Sequence, residues 1–106
     1  MKPRSRLRIP VDYRVLFAGD QVSGNGVLTN LAISGGEIES DAQFSVGTPL
    51  SLLVTLAGAR SPIVIPLAIV RWKQGGRYGV EFVRFDGNAK QQLEEMLNQS
   101  DDFPTH

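Results

Sequence analysis

From Val11 to Val83 the chain is a succession of short apolar runs broken by turn residues, and that rhythm constrains the fold more than any other feature. Val11, Tyr13, Val15 and Phe17 alternate with Asp12, Arg14 and Leu16, the period of two expected of a half-buried strand, which ends at Gly19-Asp20. Ser23, Gly24, Asn25 and Gly26 read as a turn, after which Val27 to Leu31 starts a second strand. Gly35-Gly36 interrupts the pattern before Ile38, and Asp41 to Gly47 reads as a loop. Leu50, Leu52, Val54 and Leu56 alternate again up to Gly58. Ile63 to Trp72 is a long β-rich run, Gly75-Gly76 is a tight hairpin signal, and Tyr78 to Val83 is the returning strand. Six short strands at a spacing of roughly ten residues predict a small antiparallel barrel, whose closure would remove exposed edges.

The last element has a different period. Ala89, Leu93, Met96 and Leu97 fall on one face of a helix that Asp86 or Asn88 is placed to cap, and its apolar stripe is expected to cover one barrel opening. The 106 residues fit one domain with one modest core. The expected division is a flexible basic arm over 1–9, a barrel plus helix over 10–98, and a disordered acidic tail over 99–106. The longest apolar run, Pro62 to Val70, is too short for a membrane span and contains Pro66, so no membrane insertion and a cytoplasmic location are expected.

Composition narrows the chemistry. There is no cysteine, and the single histidine is His106, so thiolate or imidazole catalysis and the usual zinc ligands have no residues to use. Paired acids such as Glu94-Glu95 read as a solvated helix face, and no nucleophile-base pair stands out. The chain is therefore expected not to be an enzyme. Formal net charge is zero, but Lys2, Arg4, Arg6 and Arg8 all lie within the first eight residues. That balance argues against a nucleic-acid polymer as partner and leaves room for a small anion. An oligonucleotide-binding barrel would need several exposed aromatics among cations, and Tyr13, Phe17, Tyr78 and Phe82 already fit inward positions.

Arg4 and Arg8 are four apart, immediately before Ile9-Pro10-Val11, and arginine presents a fork of donors that grips phosphate oxygens or a guanine edge at two points. Downstream stands Asn30-Leu31-Ala32-Ile33-Ser34-Gly35-Gly36. Together these resemble the PilZ domain, the bacterial receptor module for cyclic di-GMP, whose pattern is RxxxR followed by [D/N]xSxxG. RIPVDYRVLF and IVRWKQGGRYGVEFVRF resemble the family's flanking strands, so the likeness covers about residues 4 to 98.

The resemblance implies an all-β fold, a six-stranded antiparallel PilZ-type barrel with one C-terminal α-helix. It further implies second-messenger signalling, with cyclic di-GMP as ligand and no cofactor. Arg4 and Arg8 would contact phosphate and guanine, Asn30 would bond a guanine edge, and Gly35, beside Gly36, would allow close backbone approach. Ligand-driven ordering of the arm would then change the surface offered to a protein partner in motility, pilus or exopolysaccharide control.

This chain departs from the pattern at Ala32, where the family has serine, which removes a hydroxyl worth about 1 kcal/mol. Ser34, two residues on, should face the same side by strand alternation and replace it in part. Weaker but retained binding is expected, the alternative being a degenerate adaptor that binds a protein without nucleotide. Arg71 and Arg77 flank the hairpin and would add contacts to the ligand; Trp72 reads either as a core or rim aromatic or as a base-stacking platform. Pro3 offers no extra cation for a second ligand molecule, which favours one per site.

Overall fold

The computed structural model describes residues 8–55 and 62–101. Six strands, β1 (Ile9–Ala18), β2 (Ser23–Ala32), β3 (Gly35–Glu39), β4 (Pro49–Thr55), β5 (Ile63–Gln74) and β6 (Arg77–Arg84), precede one helix, α1 (Ala89–Asp101). They close into an antiparallel barrel in the order β1-β2-β3-β6-β5-β4, with β4 returning to β1. Each of the six strands therefore has a paired neighbour on both sides, as the strand rhythm predicts.

The alternation fills the interior. Val15 and Phe17 of β1, Leu52 and Val54 of β4 and Ile63 and Ile65 of β5 are all buried in one core, together with Tyr78, Val80 and Phe82 of β6. Tyr78 is fully buried, and its hydroxyl donates to the Ala42 carbonyl at 2.6 Å, so the phenol is satisfied rather than stranded. Phe44 lies against that ring at 4.1 Å between centroids and meets Phe17 edge-on at 5.2 Å. Two core aromatics thus hold the loop between β3 and β4 onto the barrel. Tyr13 is half-buried against the same core.

Two turns fall differently from expectation. The β1–β2 connection is at Gly19 to Val22, closed by the Gly19 amide on the Val22 carbonyl at 2.6 Å, whereas Ser23 to Gly26 is already strand, paired with Ala18 to Val15. The reason is packing: a Cβ on Gly26 would strike the Glu39 carbonyl of β3, so this glycine serves close strand approach rather than a turn. Likewise Gly35-Gly36 opens β3, and the turn before it is Ile33-Ser34. The Gly75-Gly76 hairpin is as the sequence suggests, with positive φ at both residues (52° and 83°), the requirement of a turn that matches strand twist.

α1 packs against β5 and delivers Ala89 and Leu93 to the barrel core, so its apolar stripe is used internally. Asp86 and Asn88 support its start through backbone carbonyls, which accept from the Ala89 and Gln92 amides. The helix continues through Asp101, and 102–106 lie outside the described residues. No helix among the described residues is long and apolar enough to cross a membrane.

Two irregularities position the site. The β2–β3 register shifts between Leu28 and Asn30, so Leu28 and Leu31 both point inward while Asn30 stays half-exposed. The β5–β6 register shifts between Val70 and Trp72, so Val70 is buried while Arg71 and Trp72, neighbours in sequence, are both exposed. Such bulges re-aim side chains that strict alternation would send to opposite faces.

Candidate functional site

The second bulge makes a groove. Arg71 and Trp72 form one side of it, the Ser34-Gly35-Gly36 stretch and Arg8 the other, and Gly79 to Glu81 of β6 the floor; its volume is about 220 Å³. Small-molecule sites typically occupy roughly 300–1,000 Å³, so the groove lined by the described residues is smaller than most such sites. Arg4 lies outside the described residues, as do Lys2 and Arg6.

Arg8 stands immediately before β1, whose first residue, Ile9, pairs with Leu31, so the strand begins inside the segment expected as an arm. Its Nη1 donates to Asn30 Oδ1 at 2.7 Å. The first arginine-bearing motif and the second are thus in direct contact, although 22 residues apart. Asn30 Nδ2 donates in turn to Glu37 Oε1 at 3.2 Å, and Arg77 Nη1 lies 3.3 Å from Glu37 Oε2. An asparagine amide has two N–H groups and two carbonyl lone pairs, so among the described residues half its capacity is used.

Arg71 Nε donates to Glu81 Oε1 at 2.7 Å, with both side chains about half exposed (55% and 49%). An ion pair this wet is worth about 0–1 kcal/mol, so an incoming phosphate can displace the carboxylate at little cost. Among the described residues the other guanidinium N–H groups of Arg71 have no partner.

Trp72 is 40% exposed, and its indole lies across Gly79, where a Cβ would collide with Nε1. The ring therefore presents an exposed face on the barrel rim, in the groove that Arg8 and Arg71 also line. Gly79→Ala should push the indole off its seat while leaving the backbone in place. Trp72 is the only tryptophan of the chain, so fluorescence reads the change directly: a shifted emission maximum with little loss of thermal stability. An unchanged spectrum would mean that the indole is not held by the missing Cβ.

The remaining sequence candidates are placed less centrally. Ala32 is 2% exposed at the end of β2 and does not line the groove. Ser34 does line it, but from a turn, so the alternation argument that put it on the same side as Ala32 does not apply. Gly35 and Gly36 are buried within the sheet; a Cβ on Gly35 would land on the Val80 carbonyl of β6, so its bareness is required by strand packing. Arg77 is outside the groove and lines a second one of about 420 Å³ at the β5–β6 hairpin, together with Glu39 and Asp41. Those two carboxylates make it a poor host for an anion.

Glu37, Gly79 and Glu81 are the site residues that sequence reasoning missed. Their roles depend on cross-strand register, and the one available signal was that Glu81 and Arg71 lie on strands joined by a legible hairpin. Among the described residues no group of three or more His, Cys, Asp or Glu side chains is placed to hold a metal.

Barrel, plugging helix and rim groove together define a small β-barrel binding module. The PilZ domain family model matches residues 2–99, and the chain belongs to that family, regulatory modules that receive cyclic di-GMP rather than enzymes. The Bacillus subtilis inhibitor of motility MotI/DgrA superposes with a TM-score of 0.78 at 15% identity, over 100% of this chain and 55% of that one. This chain thus spans little more than half the length of that neighbour. The PilZ domain of CeSA from a cellulose-synthesizing bacterium superposes with a TM-score of 0.69 at 19% identity, over 90% of this chain and 98% of that one. At such identities the likeness is one of fold. No curated protein matches the sequence.

Proposed function

We propose that this chain is a cyclic di-GMP receptor that signals by ordering its N-terminal arginine segment on the ligand. One observation carries the reading: Arg8, bonded to Asn30, stands on the same groove as Ser34, Arg71 and the exposed face of Trp72. That set supplies what a cyclic dinucleotide asks for: guanidiniums for phosphate and for the O6 and N7 edge of guanine, and an aromatic face for the base. Arg4 would add a second guanidinium from the N-terminal side of the groove. The ordering of the segment subtracts from affinity, and the ordered segment is a new surface for a partner. The neighbours, an inhibitor of motility and a domain from a cellulose-synthesizing bacterium, support a partner in motility or exopolysaccharide control.

A second reading, an adaptor that binds a protein without nucleotide, draws on Ala32, which offers no hydroxyl, and on the pairing of Arg71 with Glu81 before any ligand arrives. Equilibrium dialysis against cyclic di-GMP, read in parallel with Trp72 fluorescence, separates the two. Saturable binding of one ligand per chain in the micromolar range, with quenching of Trp72, is expected; no uptake at high micromolar ligand would leave the adaptor.

A further inference from the structure

Arg8, Asn30, Glu37 and Arg77 form a continuous polar chain across the outside of the barrel, from the root of β1 over β2 and β3 to β6. Only its first member lines the groove. The orientation of Asn30 is the informative link. Its amide could present either end to Arg8, and with Nδ2 in that place donor would face donor. Glu37 selects the other orientation, because a carboxylate only accepts and so takes the Nδ2 end. With a side chain only 15% exposed, the Glu37 carboxylate needs compensation beyond the Asn30 amide, and the Arg77 guanidinium supplies it as an ion pair at 3.3 Å.

We propose that Glu37 and Arg77 are positioning residues for the groove: Arg77 holds the Glu37 carboxylate, Glu37 holds the Asn30 amide, and Asn30 Oδ1 is thereby fixed toward Arg8. Successive hydrogen bonds along such a chain polarise one another, so a carboxylate on Nδ2 makes Oδ1 a better acceptor for a guanidinium. Arg77 then tunes the arginine that meets the ligand from a position that does not meet it. The effect on affinity rests on the receptor reading above, whereas the orientation of Asn30 does not.

The experiment has a ligand-free and a ligand-bound arm. In the ligand-free full chain, Glu37→Gln and Arg77→Ala should move the Asn30 side-chain amide resonances, because a glutamine can donate where the carboxylate only accepted and an alanine leaves the carboxylate without its paired cation. Arg84→Ala, which removes a cation from the far end of the same strand, should not. Unmoved Asn30 resonances in Glu37→Gln would overturn the proposal whatever the ligand does. With cyclic di-GMP, Arg77→Ala should lose about threefold to tenfold in affinity, and the loss should vanish in an Asn30→Ala background, the mark of coupling through that residue. An equal loss in both backgrounds would overturn the relay and assign the effect to long-range charge. Should the ligand not bind at all, the receptor reading falls, and the ligand-free resonances still decide the orientation.

Discussion

Replacing Arg8 with alanine is expected to weaken cyclic di-GMP binding by roughly ten- to hundredfold, the worth of a charged donor's hydrogen bonds, while leaving the barrel almost as stable as before. The two halves of that expectation have different physical origins. Arg8 is exposed, and its bond to Asn30 is made at the surface, so water takes over the vacated acceptor and the fold loses little. Toward a phosphate or a guanine edge, in contrast, alanine offers nothing, and the two-point grip of the guanidinium is gone. Arg8→Lys should recover only part of the affinity, because an ammonium restores the charge without the fork. Isothermal titration of the parent, these two variants and Arg6→Ala checks this. Equal affinity for Arg8→Ala and the parent would remove Arg8 from the site, and equal losses for Arg8→Ala and Arg6→Ala would reduce the segment to unspecific charge.

Gly35→Ala should have the opposite signature. The added methyl would fall on the Val80 carbonyl, a backbone atom of the neighbouring strand that cannot rotate away, so β3 and β6 must part where the barrel is closed. Overpacking of this kind costs about 1–3 kcal/mol and sometimes more, a large share of the roughly 5–15 kcal/mol that holds a domain folded. At about 4 °C or more per kcal/mol for a chain of this size, the melting temperature should fall by about 10 °C. Binding, measured on whatever fraction stays folded, should change less than stability does. A variant with the parent's melting temperature that had lost its ligand would instead make Gly35 a site of ligand approach, as its place in the motif suggests.

That contrast marks where the sequence could be read and where it could not. The barrel was legible because apolar residues at every second position in β1, β4 and the start of β5 can be satisfied only by a shared interior. That Arg8 and Asn30 come together was legible as two halves of one pattern, whereas their direct bond was not, since each was expected to meet the ligand. The glycines were not, since a Gly-rich stretch such as Ser23 to Gly26 or Gly35-Gly36 gives the same composition whether it turns the chain or lets two strands approach. The bulges were not legible either. Alternation carried across Val70 to Trp72 would put Trp72 on the same side as the buried Val70, whereas the extra residue in β5 turns both Arg71 and Trp72 outward. Glu37 and Glu81 stayed hidden for the same reason: which cation a strand carboxylate meets is set by register, and the register shifts at these places.

The structure also changes the meaning of Ala32. In the pattern it marks a missing hydroxyl at the ligand, yet here it is buried outside the groove while Ser34 stands on the groove wall. Affinity should therefore depend more on Arg8, Arg71 and Trp72 than on the hydroxyl absent from position 32.

The most direct measurement is a titration of the isotopically labelled full chain with cyclic di-GMP, followed through its backbone amide and tryptophan indole signals. Saturable shifts are expected at Arg8, at residues 30–36 and at Arg71, Trp72 and residues 79–81, with the opposite wall around Leu16 and Leu53 unmoved. No shift at high micromolar ligand, or shifts confined to the Glu39, Asp41 and Arg77 groove at the hairpin, would contradict the receptor reading.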